Sequence, residues 1–176
     1  MAETATKTQT KKNPMQEIRI EKITLNIGAG AEPARVEKGV KLLSTISGMK
    51  AVEARAKKRI ATWKIRPGLG IGARVTIRRN TEDLLKRLLK ANDMIISSRK
   101  FNENGFSFGI NEYINIPEVK YDPKIGIIGL NVSVTLKRPG FRVKKRKLAP
   151  AKISSSHRIT KENAIEFVEK LGAKVE

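Results

Sequence analysis

The sequence predicts an α+β domain: a mainly antiparallel sheet with helices packed on one face, an open polar face, and basic loops and tails. Three observations carry that reading. Several short segments alternate apolar and polar residues, the period of a half-buried strand. Other segments repeat apolar residues every three to four positions and carry cap residues at their ends, the pattern of amphipathic helices. The two kinds intermingle without the even strand–helix alternation of a parallel βαβ series.

The elements follow in order. Residues 1–14 (MAETATKTQTKKNP) are rich in Thr and Lys and are expected as a disordered N-terminal tail. Residues 15–172 are expected as a single domain, with a basic extension at 137–158, and 173–176 as its C-terminal end. Ile18, Ile20, Ile23, Leu25 and Ile27 alternate, with one phase slip at Glu21-Lys22 that marks a bulge. Pro33 suits the first turn of a helix carrying Val36, Val40, Leu43 and Ile46, and Gly48 stops it. Residues 58–65 have strand character, followed by a turn at Pro67–Gly70. Residues 73–79 (ARVTIRR) alternate cleanly. Asn80 or Thr81 caps a helix with Glu82 and Asp83 in its first turn, an inner stripe of Leu84, Leu85, Leu88 and Leu89, and Lys86, Arg87 and Lys90 outside. Strand character returns around Phe106, Phe108 and Ile110 and over Ile127–Leu136. Thr160 caps a last helix with Ile165, Val168 and Leu171 inward and Gly172 beyond its end.

Composition narrows the function. The chain has 176 residues, 37 Lys and Arg against 17 Asp and Glu, and a net charge of +20. Self-repulsion at that charge opposes compaction, so a neutralising polyanion is the expected partner. The charge is concentrated. Arg55–Arg66 (RAKKRIATWKIR) holds six cations and no acid, and Lys137–Lys147 (KRPGFRVKKRK) holds seven more. Two acid-free clusters on one small domain point to nucleic acid. There is no cysteine and one histidine, His157, so no thiolate or histidine-rich metal site is available. No apolar run approaches the ~18 residues of a membrane helix, and the N-terminus lacks the apolar core of a signal peptide. A cytoplasmic protein with no membrane partner, cofactor or metal is expected.

Alternation places the candidate binding residues. With Ile23, Leu25 and Ile27 inward, Lys22, Thr24 and Asn26 face outward. With Val75 and Ile77 inward, Arg74, Thr76 and Arg78 do the same, and Asn131, Ser133 and Thr135 extend the series on a third strand. If these strands share one sheet, its open face carries donors and acceptors suited to phosphate, ribose and base edges. The plainer reading is an ordinary solvated face. The neighbouring basic loops favour binding, through Lys57, Lys58, Arg59, Thr62, Trp63, Lys64 and Arg66 in one and Lys137, Arg138, Arg142, Lys144, Lys145, Arg146 and Lys147 in the other. The second reads as a flexible phosphate-binding arm. Trp63 by default is a core residue rather than a stacking platform.

Catalytic readings are weak. Gly68–Gly72 is glycine-rich but lacks the Gly-Lys-Ser/Thr ending of a phosphate loop and leads into a strand. His157 lies beside serines in a polar segment, which makes no triad. Glu162, Glu166 and Glu169 form a solvated helix face. No enzyme is expected. Two other classes stay open: a general RNA-binding module or RNA chaperone, and an enzyme acting on nucleic acid.

Longer motifs go further. NPMQEIRIEKITLNIGAG, SGMKAVEARAKKRI, KIRPGLGIGARVTIRR and GFSFGINEYINIPEVKYDPKIGIIGLNVSVTLKRPGFRV stand in this order, and HRITKENAIEFVEK follows. Over residues 13–171 the chain resembles the 5S rRNA-binding ribosomal protein five family of the large subunit, in its archaeal and eukaryotic rather than bacterial form. The resemblance implies a place in the central protuberance, with 5S rRNA on the open sheet face. Asn26 and Thr76 match the family's RNA-contacting Asn and Thr. The loop from about Ala56 to Gly70 matches the one that approaches the elbow of P-site tRNA. Residues around Phe101–Tyr121 match the part that meets a small-subunit protein in an intersubunit bridge. Large-subunit rRNA and other proteins of the protuberance are implied partners. Three positions depart from the family pattern: Met49 stands where an RNA-contacting Gln is usual, Ala54 where Thr or Ser is common, and Arg59 where Ser or Thr is frequent. Met49 lacks the amide; Arg59 adds a phosphate-binding charge.

Overall fold

A computed structural model describes residues 13–176. The tail expected over 1–14 lies outside the described residues except for Asn13 and Pro14, which open a short 3-10 turn at Pro14–Gln16 capped by the Asn13 side chain. The architecture is α+β: a six-stranded antiparallel sheet, with the helices of the described residues packed on one face.

Each strand forms where alternation gives it one apolar side. The strands are β1 (Arg19–Gly28), β2 (Val52–Arg55), β3 (Gly70–Ile77), β5 (Phe101–Asn102), β6 (Gly105–Ile110) and β7 (Leu130–Lys137), in the order β2-β3-β1-β7-β6-β5. β4 (Ile95–Ile96) and β8 (Lys174–Val175) form a separate two-stranded parallel pair. The register of β1 against β7 slips between Ile20 and Lys22, which is the bulge the phase change predicts.

Helix α1 (Pro33–Ser47) starts on Pro33 and ends at Gly48, whose φ of 63° is the left-handed conformation common at helix ends and favoured by glycine. It buries Val36, Leu42, Leu43 and Ile46. Helix α2 (Thr81–Lys90) buries its four leucines as expected. Asn80 stands at its N-cap position with φ 50° but makes no side-chain cap bond. After the four-residue α3 (Arg142–Lys145), helix α4 (Lys161–Lys170) is capped by the Thr160 hydroxyl, which accepts from the Asn163 N–H at 3.5 Å. Ala164 and Val168 are its buried pair; Ile165 and Leu171 are half-buried against the core.

The core lies between the sheet and these helices. Ile23, Leu25, Ile27, Val75, Ile77, Val132 and Val134 project into it from the strands. A stack of Phe101, Phe106 and Phe108 fills the β5–β6 end, with ring centroids 5.3 and 6.3 Å apart. The passage from Asn111 to Gly129 covers the remaining side with Tyr113, Ile116, Ile125 and Ile128. Because one face is sealed this way, the other is left free.

Two expectations need correction. The strand expected over Ile127–Leu136 runs from Leu130 to Lys137. Residues 58–65 are not a strand: Ile60 and Ile65 pair as an isolated bridge around a 3-10 turn, Ala61–Trp63. The strand that does form is β2, upstream, four residues long and paired with β3.

Candidate nucleic-acid interface

The free face of the sheet is built in rows. Pairing across strands aligns Val52, Arg74, Asn26, Asn131 and Gly109 in one row. The next holds Thr76, Thr24, Ser133 and Ser107, and the third Lys22, Thr135 and Gly105. Neighbouring strands lie ~4.8 Å apart and same-face residues ~7 Å apart along a strand. The result is a continuous polar panel of hydroxyls, amides and cations. Arg78 follows β3 in the same alternation and is exposed. The three segments read from alternation therefore share one sheet and lie on adjacent strands.

The panel varies across its width. Cations sit toward β3 and at the bulge of β1: Arg74, Arg78 and Lys22. None of them makes an ion pair among the described residues. Toward β7 and β6 the side chains are small and uncharged. Gly105 is fixed there by space, since a Cβ would meet the Val134 carbonyl oxygen. Ser107 and Gly109 belong to this panel, and the sequence reading passed them over. The signal was present in the alternation Phe106-Ser107-Phe108.

Met49 stands at the border. Its N–H donates to the Ser47 hydroxyl at 3.2 Å, and the Ser44 hydroxyl accepts from the Ala51 N–H at 3.2 Å. These bonds turn the chain from α1 into β2. Met49 and Lys50 share a shallow groove with Val52, Arg74, Val75 and Thr76. The thioether thus lies beside the polar panel but offers it no strong donor or acceptor.

The basic segment between β2 and β3 is a stapled hairpin. Ala56 donates to the Leu69 carbonyl at 2.8 Å, and Gly68 donates to the Ala56 carbonyl at 2.9 Å. Ile60 and Ile65 exchange both backbone bonds at 3.0 Å, and Lys64 turns the tip with φ 54°. Ala56 and Ile65 are buried, which anchors the base and one leg. Lys57, Lys58, Arg59, Thr62, Lys64 and Arg66 are all exposed. Trp63 is 67% exposed, so it is not a core residue. A two-legged tip of this size has no interior to receive an indole, and its flat face is left available for stacking.

The second basic segment is a closed excursion rather than an open arm. Lys137 is exposed at the end of β7. Arg138 turns inward: its Nη1 donates to the Arg158 carbonyl at 3.3 Å, and its Nε is inaccessible and unpartnered among the described residues. Lys145 pairs with Glu21 at the β1 bulge. Arg146 Nε donates to the Ala149 carbonyl at 2.7 Å. The His157 Nε2 donates to the Pro139 carbonyl at 2.8 Å, and its ring meets Phe141 edge-on. Arg142, Lys144 and Lys147 remain exposed without acidic partners.

Comparison with known proteins places the chain among ribosomal proteins. Residues 13–66 match the ribosomal protein L5 family, and residues 70–167 match the C-terminus of the same ribosomal family. The junction falls in the returning leg of the hairpin. The large ribosomal subunit protein uL5 of Nanoarchaeum equitans is 46% identical over 166 residues, covering 93% of this chain and 98% of its own. Those of Sulfurisphaera tokodaii and Nitrosopumilus maritimus are each 43% identical, covering 96% and 92% of this chain and 94% and 95% of their own. Both halves of the sheet, and the hairpin that joins them, are matched over nearly the full length, and the chain belongs to the ribosomal protein L5 family.

Proposed function

We propose that this chain is a structural component of the large ribosomal subunit in the cytoplasm, of the archaeal type, that holds 5S rRNA on its open sheet face and helps attach it in the central protuberance. It is not an enzyme. In this reading Arg74, Arg78 and Lys22 neutralise phosphates, while Thr24, Asn26 and Thr76 bond ribose hydroxyls and base edges. Met49 lies against the RNA at the border of the face. Lys137, Arg142, Lys144 and Lys147 add phosphate contacts at the far end, and Arg138, Lys145 and Arg146 hold that excursion in shape. The hairpin, with Lys57, Lys58, Arg59, Thr62, Trp63, Lys64 and Arg66, reaches P-site tRNA. The segment around Phe101–Tyr121 meets a small-subunit protein across the intersubunit bridge. Its exposed Ile114 and Tyr121 suit a protein partner. Large-subunit rRNA and other large-subunit proteins complete the contacts.

The observation that carries the reading is the combination, on one face, of unpaired cations with aligned rows of uncharged hydrogen-bonding side chains. Charge alone would suit any polyanion. Ordered neutral donors and acceptors suit one folded RNA. The competing reading is a general RNA chaperone, which would rest on charge only.

A salt series separates them. The chain is titrated with 5S rRNA and with an equally long, unrelated structured RNA. Preference for 5S rRNA that persists as salt rises supports the ribosomal reading, because neutral contacts survive loss of the counterion term. Equal affinities that collapse together would leave only the chaperone.

A further inference from the structure

The excursion after β7 doubles back, and the fold-back encloses space that neither the sheet face nor the hairpin uses. Ala149 adopts φ 46°, in the left-handed region that residues other than glycine seldom enter, and Pro150 follows it. The Arg146 bond to the Ala149 carbonyl and the Ala151 bond to the Val143 carbonyl at 3.3 Å lay the returning chain against α3. A cleft of about 400 Å³ results, lined by Lys144, Pro150, Ala151, Lys152, Ile153 and Arg158. Half of that lining is apolar. The other half is three cations with no acid, and none of the three is in an ion pair among the described residues.

We propose that this cleft seats one unstacked nucleotide of single-stranded RNA, its phosphate among Lys144, Lys152 and Arg158 and its base against Pro150 and Ile153. The size falls within the ~300–1,000 Å³ of small-ligand clefts. A free phosphate would satisfy the cations but leave the apolar wall uncovered. An acidic peptide would spread along a groove rather than converge on one compact recess. A nucleotide supplies both a phosphate and a flat apolar surface in one unit. It must come from a loop, bulge or end, because a base inside a duplex is held by stacking and pairing. The proposal rests on the RNA-binding reading above and adds a second mode to it: the sheet takes the outside of folded RNA, the cleft takes one extruded base.

The test is an NMR titration of the isotopically labelled full chain with adenosine 5′-monophosphate, with inorganic phosphate and with an oligo-aspartate peptide. The expected result is that the nucleotide shifts the Ala151 and Ile153 methyl signals and binds more tightly than phosphate. The double variant Lys152→Gln/Arg158→Gln weakens nucleotide binding by roughly tenfold or more. Ile153→Thr weakens nucleotide but not phosphate, with the amide spectrum outside residues 137–159 unchanged as the control for folding. Absence of methyl shifts, equal affinity for phosphate, or tighter binding of the peptide would each overturn the proposal. The Ala151 and Ile153 methyl shifts report on the cleft alone. If 5S rRNA preference fails while the nucleotide still binds, the ribosomal reading falls and the cleft stands; the reverse result removes only the cleft.

Discussion

The open face of the sheet and the outer face of α2 look alike in composition. Each is polar, each carries several cations, and they lie on opposite sides of the molecule. Their wiring differs. On α2, Lys86, Arg87 and Lys90 share one short helix with Glu82 and Asp83, and Arg87 is tied to Glu118 at 2.6 Å. On the sheet, Lys22, Arg74 and Arg78 have no acidic partner among the described residues and stand beside aligned rows of Thr, Asn and Ser. Of the three α2 cations only Arg87 is paired; Lys86 and Lys90, like the cations of the sheet, have no ion pair among the described residues. What sets the two faces apart is the company the cations keep: two acids on the same short helix for α2, aligned rows of Thr, Asn and Ser for the sheet. The proposed binding face is the one with the ordered neutral groups.

The largest expected effect tests that contrast directly. Charge reversal of Arg74 and Arg78 to Glu should weaken 5S rRNA binding by roughly 100-fold or more, since each lost phosphate contact also flattens the salt slope. The same reversal at Lys86 and Arg87 should change binding by a few-fold at most. Filter-binding titrations at two salt concentrations read both. Comparable losses from the two pairs would erase the distinction between the faces.

A change beneath α2 separates its true role from binding. Leu88 is fully buried between α2 and the sheet. Leu88→Ala should destabilise the fold by about 2–5 kcal/mol, seen in denaturant unfolding. Below the transition, the folded chain should still bind 5S rRNA with nearly unchanged affinity. A binding loss without a stability loss would place RNA on the α2 side.

Neutral substitutions sharpen the comparison. Asn26→Ala and Thr76→Val should each cost roughly 0.5–1.5 kcal/mol of binding, with no change in salt slope because no charge is removed. A slope change would mean that these side chains act by reorganising phosphate contacts.

The smallest effect is a stability term away from both faces. Asp122 accepts from the Lys124 N–H at 3.0 Å and from the Lys41 ammonium at 3.1 Å, and these hold its carboxyl below the ordinary aspartate value. A lowered pKa in the folded state stabilises the protein at pH above the unfolded value. That stability is lost as pH falls through the lowered one. Asp122→Asn should therefore narrow the gap to the parent chain as the solution is acidified through that range, with RNA binding at neutral pH untouched. An unfolding series in pH checks it.

Much of this was legible in the sequence, and the exceptions have physical causes. Alternation found β1 with its bulge, β3 and β7, because each is half-buried and long enough for a period of two to be read. The four leucines of α2 and the Pro33 and Gly48 limits of α1 were equally plain. β2 escaped because four residues (VEAR) with no buried side chain among them show no period. The apolar residues of 58–65 suggested a strand, but the segment turns back on itself at Ala61–Trp63 and pairs Ile60 with Ile65 instead of running straight. Trp63 was misjudged because tryptophan burial is the rule only where there is an interior to enter. The excursion after β7 looked like a free arm because its closing bonds run from Arg146, Lys145 and His157 to backbone and distant partners that sequence cannot display. For the interface, alternation identified the rows on three strands, while Ser107 and Gly109 joined them only when β6 was seen to pair with β7.

The absence of native cysteine offers the most direct test of which face holds the RNA. Single cysteines placed at Thr76, at Ser133 and at Lys86 can be reacted with a maleimide, with and without bound 5S rRNA. The account predicts strong protection at Thr76 and Ser133 and unchanged reaction at Lys86. Protection at Lys86, with Thr76 and Ser133 still reactive, would contradict it.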